Sequence, residues 1–208
     1  MSYYLPLFPL NLVAFPQERL NLHIFEPRYK DLINDCWKSG SHFGIPSYVT
    51  SKIEYGTEME ITEIFKKYED GRMDIKTIAH HIFKVKQFSN PWTNKRYAGG
   101  QVEPITIVWD QTTAKFELLD LLDQLYGKLD IGKEVKYHME TRVFQLAHKV
   151  GLSKEQEYRL LQITCESERV KFLIIHLKEL IPKLTAVAKI GNRIKMNGHF
   201  RQMDSPDF

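Results

Sequence analysis

The stretch GKLDIGKE, residues 127–134, comes nearest to a catalytic motif in this sequence. Its two glycines and Lys133 match the G-x-x-x-x-G-K spacing in which backbone N–H groups and a lysine bind nucleotide phosphates. Glu134 stands where a serine or threonine would bind magnesium, and its carboxylate would repel a phosphate. A helical pattern precedes the stretch, where a phosphate loop requires a strand. The sequence therefore predicts a helix–helix connection here, and ATP is expected neither to bind nor to be hydrolysed.

The eight histidines and two cysteines show no spacing typical of a metal site. The sequence contains no H-E-x-x-H and no Cys/His spacing suited to zinc. His80 and His81 are neighbours in a predicted strand, so regular alternation would point their side chains to opposite faces. Cys36 and Cys165 fall on the apolar sides of predicted helices, which predicts free, buried thiols in a reducing compartment. No metal and no cofactor is expected.

Serine nucleophiles have no supporting motif either. The sequence contains no G-x-S-x-G elbow. No serine–lysine pair has a local context that distinguishes it from the other serines and lysines. No catalytic residue is therefore assigned, and the chain is predicted not to be an enzyme.

The segment HIFEPRYKDL, residues 23–32, places Glu26 and Arg28 on either side of a proline, between a strand pattern and a helix pattern. One interpretation is an acid–base site, which would need a second tuned group nearby, and the local sequence offers none. The other is a structural joint, in which Glu26 accepts hydrogen bonds from N–H groups of the first helical turn. Arg28 would then pair with a carboxylate or contact loop carbonyls. The joint is the favoured interpretation.

Aromatic and cationic residues occur together in PWTNKRYAGG, residues 91–100, which joins two predicted strands. Trp92, Lys95, Arg96 and Tyr97 are residue types that suit binding of a peptide or of a single-stranded base. Large aromatics in loops also commonly fold back over the core. Both interpretations stay open, and the four residues are candidate partner-binding residues.

A second candidate for binding is the segment 183–201, which holds five basic residues and no acidic one. Arg193 and Lys195 lie within it and are the partner-binding candidates. One interpretation is a contact with an anionic partner such as nucleic acid. The favoured interpretation is a solvated helix face that complements acidic residues on neighbouring helices.

Composition is that of an ordinary globular protein. Of the 208 residues, 43% are hydrophobic and 26% are charged, a balance typical of folded domains. The net charge of +3 is too small to indicate nucleic-acid binding by itself. The N-terminus lacks the pattern of a signal peptide, and no apolar run reaches the length of a membrane span. A cytoplasmic location without a membrane partner is expected.

Strand patterns dominate the first half of the chain. Short apolar runs bounded by proline or glycine predict strands at residues 5–10, 20–25, 43–49 and 101–108. A long hairpin is predicted over residues 59–88, turning at Glu69-Asp70-Gly71. A single helix is predicted at residues 27–40, where Pro27 suits the first position and Gly40 the end. Its apolar stripe consists of Tyr29, Leu32, Ile33, Cys36 and Trp37.

Helical patterns follow from about Thr112. Helices are predicted at residues 115–129, 134–151 and 153–165, the last with a capping box of Ser153 and Gln156. Residues 170–181 are apolar almost all round, which predicts a central buried helix. A further helix is predicted at residues 183–197, and the tail from Asp204 is expected to be loose.

Several blocks of the first half resemble the N-terminal substrate-recognition domain of Lon proteases, which also occurs as small standalone proteins and within cereblon. The blocks are LPLFPLNLVAFPQERLNLHIFEPRY at residues 5–29, FGI at 43–45, GTEMEI at 56–61 and EDGRM at 69–73. The residues that carry the likeness are Phe8, Pro9, Phe15, Pro16, Phe25, Glu26, Pro27, Arg28, Tyr29, Phe43, Gly44, Gly56, Asp70 and Gly71. One departure is Ala79-His80-His81-Ile82, where family members usually carry a glycine and arginines.

The resemblance implies an α+β fold. A PUA-like β-barrel lobe with one helix would occupy residues 1–111, a C-terminal α-helical bundle lobe residues 112–200, and a flexible tail residues 201–208. In the full proteases this domain helps to capture polypeptides, while later domains hydrolyse ATP and cleave peptides.

The implied function is a non-catalytic polypeptide-binding or adaptor module, without ATPase or protease domains. Its partner would be a polypeptide or protein, such as an unfolded segment or a protease. The alternative is an RNA-binding PUA-like module that uses the basic C-terminal segment; fold alone is weak support for it.

Overall fold

The computed structural model of this protein describes residues 1–50, 52–129 and 136–200, with side chains through residue 187. Its strands are β1 (Tyr3–Leu7), β2 (Arg19–Ile24), β3 (Phe43–Pro46), β4 (Tyr55–Lys67), β5 (Met73–Ser89) and β6 (Ala98–Pro104). Its helices are α1 (Pro27–Ser39), α2 (Ala114–Leu129), α3 (Val143–Leu146), α4 (Lys154–Gln162) and α5 (Glu166–Phe200). The α+β class expected from the sequence is confirmed.

The strands form one sheet in the order β2-β5-β4-β3-β1-β6, and β5 also pairs with β6. The length of β5 makes this possible, because its residues 73–78 pair with β2 and its residues 83–89 pair with β6. The pairings through β5, β4, β3, β1 and β6 therefore form a continuous ring. In the described part of the chain, β2 has a strand neighbour on one side alone.

Local signals account for α1. Pro27 occupies the first turn, and Gly40 ends the helix in the left-handed conformation with φ 65°, which glycine adopts without steric cost. Tyr29, Leu32, Ile33 and Cys36 are buried, as the stripe predicts. Trp37 is the exception, since 45% of it is exposed. Position 37 lies at the margin of the stripe.

Several predicted strands have other limits. β3 ends at Pro46, three residues before the predicted end, and Tyr48 N instead donates to Leu10 O at 2.7 Å. β6 starts at Ala98 and ends at Pro104, so two glycines that resembled loop residues lie within a strand. Gly100 belongs there because a Cβ at this position would lie 2.1 Å from Gln87 O.

The chain divides into two units by its internal contacts: residues 1–110 with 142–166, and residues 111–141 with 167–208. The division expected from the sequence, at residue 111, would have placed 142–166 among the helices of the second lobe. In the first unit α1 packs on the sheet. Its larger core cluster includes Leu32, Ile33, Phe43, Met59 and Ile75.

The segment 142–166 adds α3, a 3₁₀ turn and α4 to the first unit. The capping box at the start of α4 is present, with Ser153 Oγ accepting from Gln156 N and Gln156 Oε1 accepting from Ser153 N. Phe144 of α3 stacks on Phe15 with ring centroids 5.1 Å apart. Cys165 bridges to Val108 in an extended link and is only partly buried, so its predicted place on a helix is wrong.

The helix predicted at residues 134–151 is also wrong over its first part. Residues 136–142 are not helical, and α3 starts at Val143. Thr141 explains the late start, because its Oγ1 accepts from His138 N at 2.9 Å and its N donates to His138 O at 3.0 Å. Such local hydroxyl–backbone bonds compete with helix formation.

In the second unit, α5 runs without a break through Pro182 to Phe200, where two helices were predicted. Val170, Leu173 and Leu177 are buried, whereas Ile175 is 61% exposed. Over the predicted central helix, residues 170–181, α5 thus buries one face and is not surrounded on all sides as expected. None of the described helices is both long enough and apolar enough to cross a membrane.

Candidate functional site

The strand–helix junction at Glu26 and Arg28 is a surface pair. Arg28 Nε donates to Glu26 Oε2 at 2.9 Å, and the two side chains are 42% and 40% exposed. The guanidinium also lies 4.5 Å from the centroid of the Tyr29 ring. The Glu26 side chain does not cap the helix; its carbonyl accepts from the N–H groups of Tyr29 and Lys30, each at 3.0 Å. The expected carboxylate cap is therefore wrong in detail.

Six of the fourteen residues that carry the family resemblance are scaffold residues. They lie in the buried interior: Phe8, Phe15, Tyr29, Phe43, Gly44 and Gly56. Pro9, Pro16, Glu26 and Arg28 are partly buried, and Phe25, Pro27, Asp70 and Gly71 are exposed. Phe25 stands out because 59% of a large apolar side chain is exposed at the end of β2.

The hairpin turn between β4 and β5 is fixed by Asp70 and Gly71. Gly71 has φ 78°, and Asp70 Oδ1 accepts from Arg72 N at 3.0 Å. This backbone hydrogen bond is the main reason why the pKa of the Asp70 carboxyl lies below its usual value. Lys30 of α1 donates to Asp70 O at 2.8 Å. The turn is thereby attached to α1.

The segment 91–100 folds back on α1. Tyr97 is 2% exposed, and its hydroxyl donates to Asp35 Oδ2 at 2.8 Å. Lys95 Nζ donates to the same oxygen at 2.7 Å, and Arg96 donates to Asp31 at 2.6 Å. Of the two interpretations left open by the sequence, the contacts of Tyr97 match the one in which the aromatic covers the core.

Trp92 is partly buried, with its ring centroid 6.5 Å from that of Tyr97. Its ring stacks on Tyr4, with centroids 6.5 Å apart and planes at 11°. A Cβ at Gly99 would lie 2.3 Å from the indole, so the ring rests on the glycine backbone. A polar cleft of about 360 Å³ separates α1 from the loop, with Asp31 and Lys95 in its walls.

The free edge of β2 is the second surface. Outward side chains alternate along it, with Arg19, Asn21 and His23 exposed and Leu20 and Leu22 partly buried. No backbone hydrogen bond joins this edge to another described segment. Phe25 follows directly and lies against His23, with ring centroids 6.1 Å apart. The edge thus joins an open row of backbone groups to an exposed aromatic ring.

His42, Glu60 and His80 form the third feature. One ligand atom from each lies within 4.8 Å of the others, and all three are partly buried. Metal-site spacings along the chain gave no sign of this group, because the three residues are far apart in sequence and meet only in the fold. A β-bulge contributes, because β5 has one residue more than β4 between the pairs Met59–Ala79 and Thr57–Ile82.

The rings of His80 and His81 lie 6.2 Å apart, too close for opposite faces of a regular strand. A signal for the group did exist in the sequence. A regular hairpin centred on Asp70 would place Glu60 opposite His80. The observed register pairs Glu60 with Ile78, which leaves His80 as a diagonal neighbour within reach of a long side chain.

Two groups of predicted residues fall outside what is described. Gly132, Lys133 and Glu134 of the phosphate-loop-like stretch lie in the gap at residues 130–135. The predicted tail, from residue 201 onward, also lies outside the described residues. Arg193 and Lys195 belong to α5, but their side chains lie outside the described residues.

Comparison with known proteins gives consistent matches. The family model for the ATP-dependent protease La (LON) substrate-binding domain matches residues 4–179. A Lon N-terminal domain protein from Xanthomonas campestris is 26% identical, with a TM-score of 0.66 over 83% of this chain and 98% of that one. The N-terminal domain of a Mycobacterium avium complex Lon protease is 13% identical, with a TM-score of 0.65 over 85% of this chain and 98% of that one. The second likeness is one of fold.

Proposed function

Because this chain belongs to the LON substrate-binding domain family, we propose that it binds polypeptide segments without catalysis, as a substrate-recognition domain or an adaptor. The observation that carries the proposal is the free edge of β2, residues 19–24, next to the exposed Phe25. The bound segment would be extended and would add a strand to this edge.

Backbone pairing suits a module that accepts many polypeptides. Strand addition takes its affinity from main-chain hydrogen bonds, which every sequence except proline can make, and its selectivity from side chains beside the strand. The exposed edge also needs protection against self-association. Arg19 and the Asp74 carboxylate, which lies 2.5 Å from His23 Nδ1, place charge along the edge. The charge discourages pairing between two copies while leaving the edge open to a segment.

Exposed aromatic residues at one end of the edge would contact apolar side chains of the segment. Phe25 is 59% exposed, and Phe65 of β4 is 46% exposed. Both lie near the hairpin turn between β4 and β5. Asp74, close to that turn, pairs with Lys66 on one side and with His23 on the other, and these two residues are near neighbours of Phe65 and Phe25 in sequence. Unfolded chains expose apolar side chains that folded partners bury, so this arrangement favours unfolded segments.

The PUA-like barrel is part of the same proposal and is supported by the ring of pairings through β5 and β6. The RNA-binding alternative rests on the basic segment 183–201 and stays a prediction. It enters the experiment as a competitor.

The test is fluorescence anisotropy with a labelled, apolar-rich peptide of about ten residues that has no fixed structure. Two further peptides carry N-methyl groups on alternate residues, one on the odd and one on the even positions. Strand addition predicts that one of these loses most of its binding, because its donors face β2, while the other keeps it. Phe25→Ala should weaken binding about fivefold, the usual value of one aromatic contact.

Tyr48→Ala is the matched control, because Tyr48 is 51% exposed and lies beyond β3, at the other end of β4 from Phe25. Equal loss with both N-methylated peptides would rule out strand addition. Equal weakening by Tyr48→Ala and Phe25→Ala would rule out the assigned surface. Displacement of the peptide by single-stranded RNA at moderate salt would favour the RNA-binding alternative.

A further inference from the structure

We propose that His42, Glu60 and His80 form a binding site for a divalent transition-metal ion, with Zn²⁺ as the ion that fits best. The inference is independent of polypeptide binding. It rests on the strand pairings that bring the three residues together, on the hydrogen bonds that orient His42, and on the cleft beside the group.

Strand pairing places the three side chains on neighbouring strands. Glu60 lies in β4, between the other two. His42 directly precedes β3. Because Phe43 pairs with Met59 and Gly44 with Glu58, the same register places His42 opposite Glu60. His80 lies in β5, diagonally across from Glu60 at the bulge. The ligands are thus attached to three hydrogen-bonded strands, which limits how far they can separate.

Distances within the group suit one ion after a small adjustment. The three ligand atoms lie within 4.8 Å of one another, and His80 Nε2 lies 2.7 Å from Glu60 Oε2. Bonds of about 2.0–2.2 Å to a tetrahedral Zn²⁺ require ligand atoms roughly 3.3 Å apart. The ion would take the place of the hydrogen bond between His80 and Glu60. Rotation of partly exposed side chains provides the remaining movement.

A hydrogen-bonded chain behind His42 orients its ring. His42 Nδ1 lies 2.7 Å from Glu58 Oε1, and the Tyr3 hydroxyl donates to the other carboxylate oxygen of Glu58. With Nδ1–H donating to Glu58, the lone pair of His42 resides on Nε2. A carboxylate that holds the second nitrogen is the usual outer support of a metal-binding histidine. The His42 and His80 rings are parallel, with planes at 4° and centroids 5.1 Å apart.

The ligand types select the ion. Two imidazoles with one carboxylate form a common catalytic-type zinc set, which leaves the fourth position open. A cleft of about 170 Å³ lies beside this position and is lined by His42, Glu60, Trp37 and Ile61. Cys36 also borders the cleft, but it is buried and donates to His42 O at 3.7 Å. The Cys36 thiol is thus held by a backbone carbonyl and is not counted among the ligands.

The experiment titrates Zn²⁺ into the metal-free full chain at pH 7.5, with a chromophoric chelator as competitor. We expect one ion per chain with a Kd in about the micromolar range or tighter. His42→Gln, Glu60→Gln and His80→Gln should each weaken binding by at least about 100-fold, since even outer-shell partners account for about 10–100-fold. Binding should also weaken at pH 5.5, because protons compete for the histidine nitrogens.

His23→Gln is the control, because His23 lies 2.5 Å from Asp74 as His80 lies 2.7 Å from Glu60, but it belongs to no group with a second histidine in the described part of the chain. It should leave affinity and stoichiometry unchanged. Co²⁺ absorption in the visible range reports whether the coordination is tetrahedral, and His80→Gln should abolish it. Binding weaker than about 1 mM, or equal loss in His23→Gln, would show that the group is two separate ion pairs and would overturn the proposal.

Glu58→Gln tests the orienting chain. Glu58 would be a positioning residue, so this substitution should weaken Zn²⁺ binding by about 10–100-fold while one ion still binds per chain. Urea denaturation of the metal-free protein separates this effect from a loss of folding. Unchanged affinity in a folded Glu58→Gln variant would contradict the assigned orientation of His42.

Discussion

Tyr97 and Asp35, 62 positions apart in sequence, are joined by a hydrogen bond of 2.8 Å from the phenol to the carboxylate. Lys95 donates to the same oxygen. These two bonds hold the pKa of Asp35 below its usual value, with the Lys95 bond as the larger cause. Burial, and after it the hydrogen bond to Asp35, raises the pKa of Tyr97. The loop is thereby fastened to α1 by an ionised carboxylate.

Removal of this hydroxyl should cost stability and little else. Tyr97→Phe keeps the buried ring and leaves Asp35 paired with Lys95, so we expect a loss of about 1.5–3 kcal/mol, typical of a hydrogen bond to a charged group. Tyr97→Ala should cost about 3–5 kcal/mol because it empties a buried site. Urea denaturation measures both. Tyr48→Phe, at an exposed tyrosine, is the control and should have no effect; a Tyr97→Phe variant as stable as wild type would contradict this role.

The Glu26–Arg28 pair should contribute little to stability. Both side chains are about two-fifths exposed, and exposed pairs contribute about 1 kcal/mol or less. Arg28→Ala also loses its contact with the Tyr29 ring, so we expect about 1 kcal/mol for it and less for Glu26→Ala. Tyr29→Ala should cost about 3–5 kcal/mol, since this ring lies in the core. Chemical denaturation of the singles and the double mutant gives the coupling, expected below about 1 kcal/mol.

A loss of binding in Arg28→Ala at unchanged stability would contradict the joint. In that case the anisotropy assay with the labelled peptide would show weaker binding than in Glu26→Ala, although the two variants unfold at the same urea concentration.

The parts of the fold that were predictable have local causes. Pro27 and Gly40 delimit α1, Gly71 marks the hairpin turn, and the Ser153–Gln156 pair starts α4. Each signal lies within a few residues of what it determines. The family resemblance supplied the fold class beyond these elements.

The remainder depends on contacts between distant segments. Two strand pairings and a bulge bring His42 and His80 together. Tyr97 donates a hydrogen bond to Asp35, which lies 62 positions earlier in the sequence. Residues 136–142 fail as a helix because Thr141 bonds to His138, although their pattern is helical. The spacing of residue types along the chain does not predict bulges or hydrogen bonds of this kind.

His148 should make stability depend on pH above neutrality. Its ring lies 3.2 Å from Glu18 and 2.7 Å from Glu157. These hydrogen bonds, that to Glu18 foremost, raise the pKa of His148 to about 9. The native state therefore holds this proton more tightly than the unfolded chain. The added stability is fully present below pH 6.5 and is lost as the pH rises through about 9.

The expected loss is about 1 kcal/mol, because the His148 side chain is 40% exposed and solvent screens the pair. The free energy of unfolding is measured by urea at pH 6, 8 and 10. His148→Gln should be less stable than wild type at pH 6 and should match it at pH 10. His138→Gln, at a 68% exposed histidine, should keep the wild-type slope. A constant difference between His148→Gln and wild type at every pH would contradict the linkage.

Two glycines in different surroundings should respond oppositely to alanine. A Cβ at Gly56 would lie 2.4 Å from Ile45 O and 2.6 Å from Pro46 Cα. Because both atoms are backbone, β3 and β4 would have to separate, and we expect a loss of at least about 1–3 kcal/mol from overpacking. At Gly127, near the end of α2, a Cβ meets nothing within 4 Å. Gly127→Ala should stabilise by about 0.5 kcal/mol, since alanine loses less backbone entropy in a helix. Thermal denaturation of the two variants measures both signs. A Gly56→Ala variant with the same melting temperature as wild type would mean that the two strands lie farther apart than these distances require.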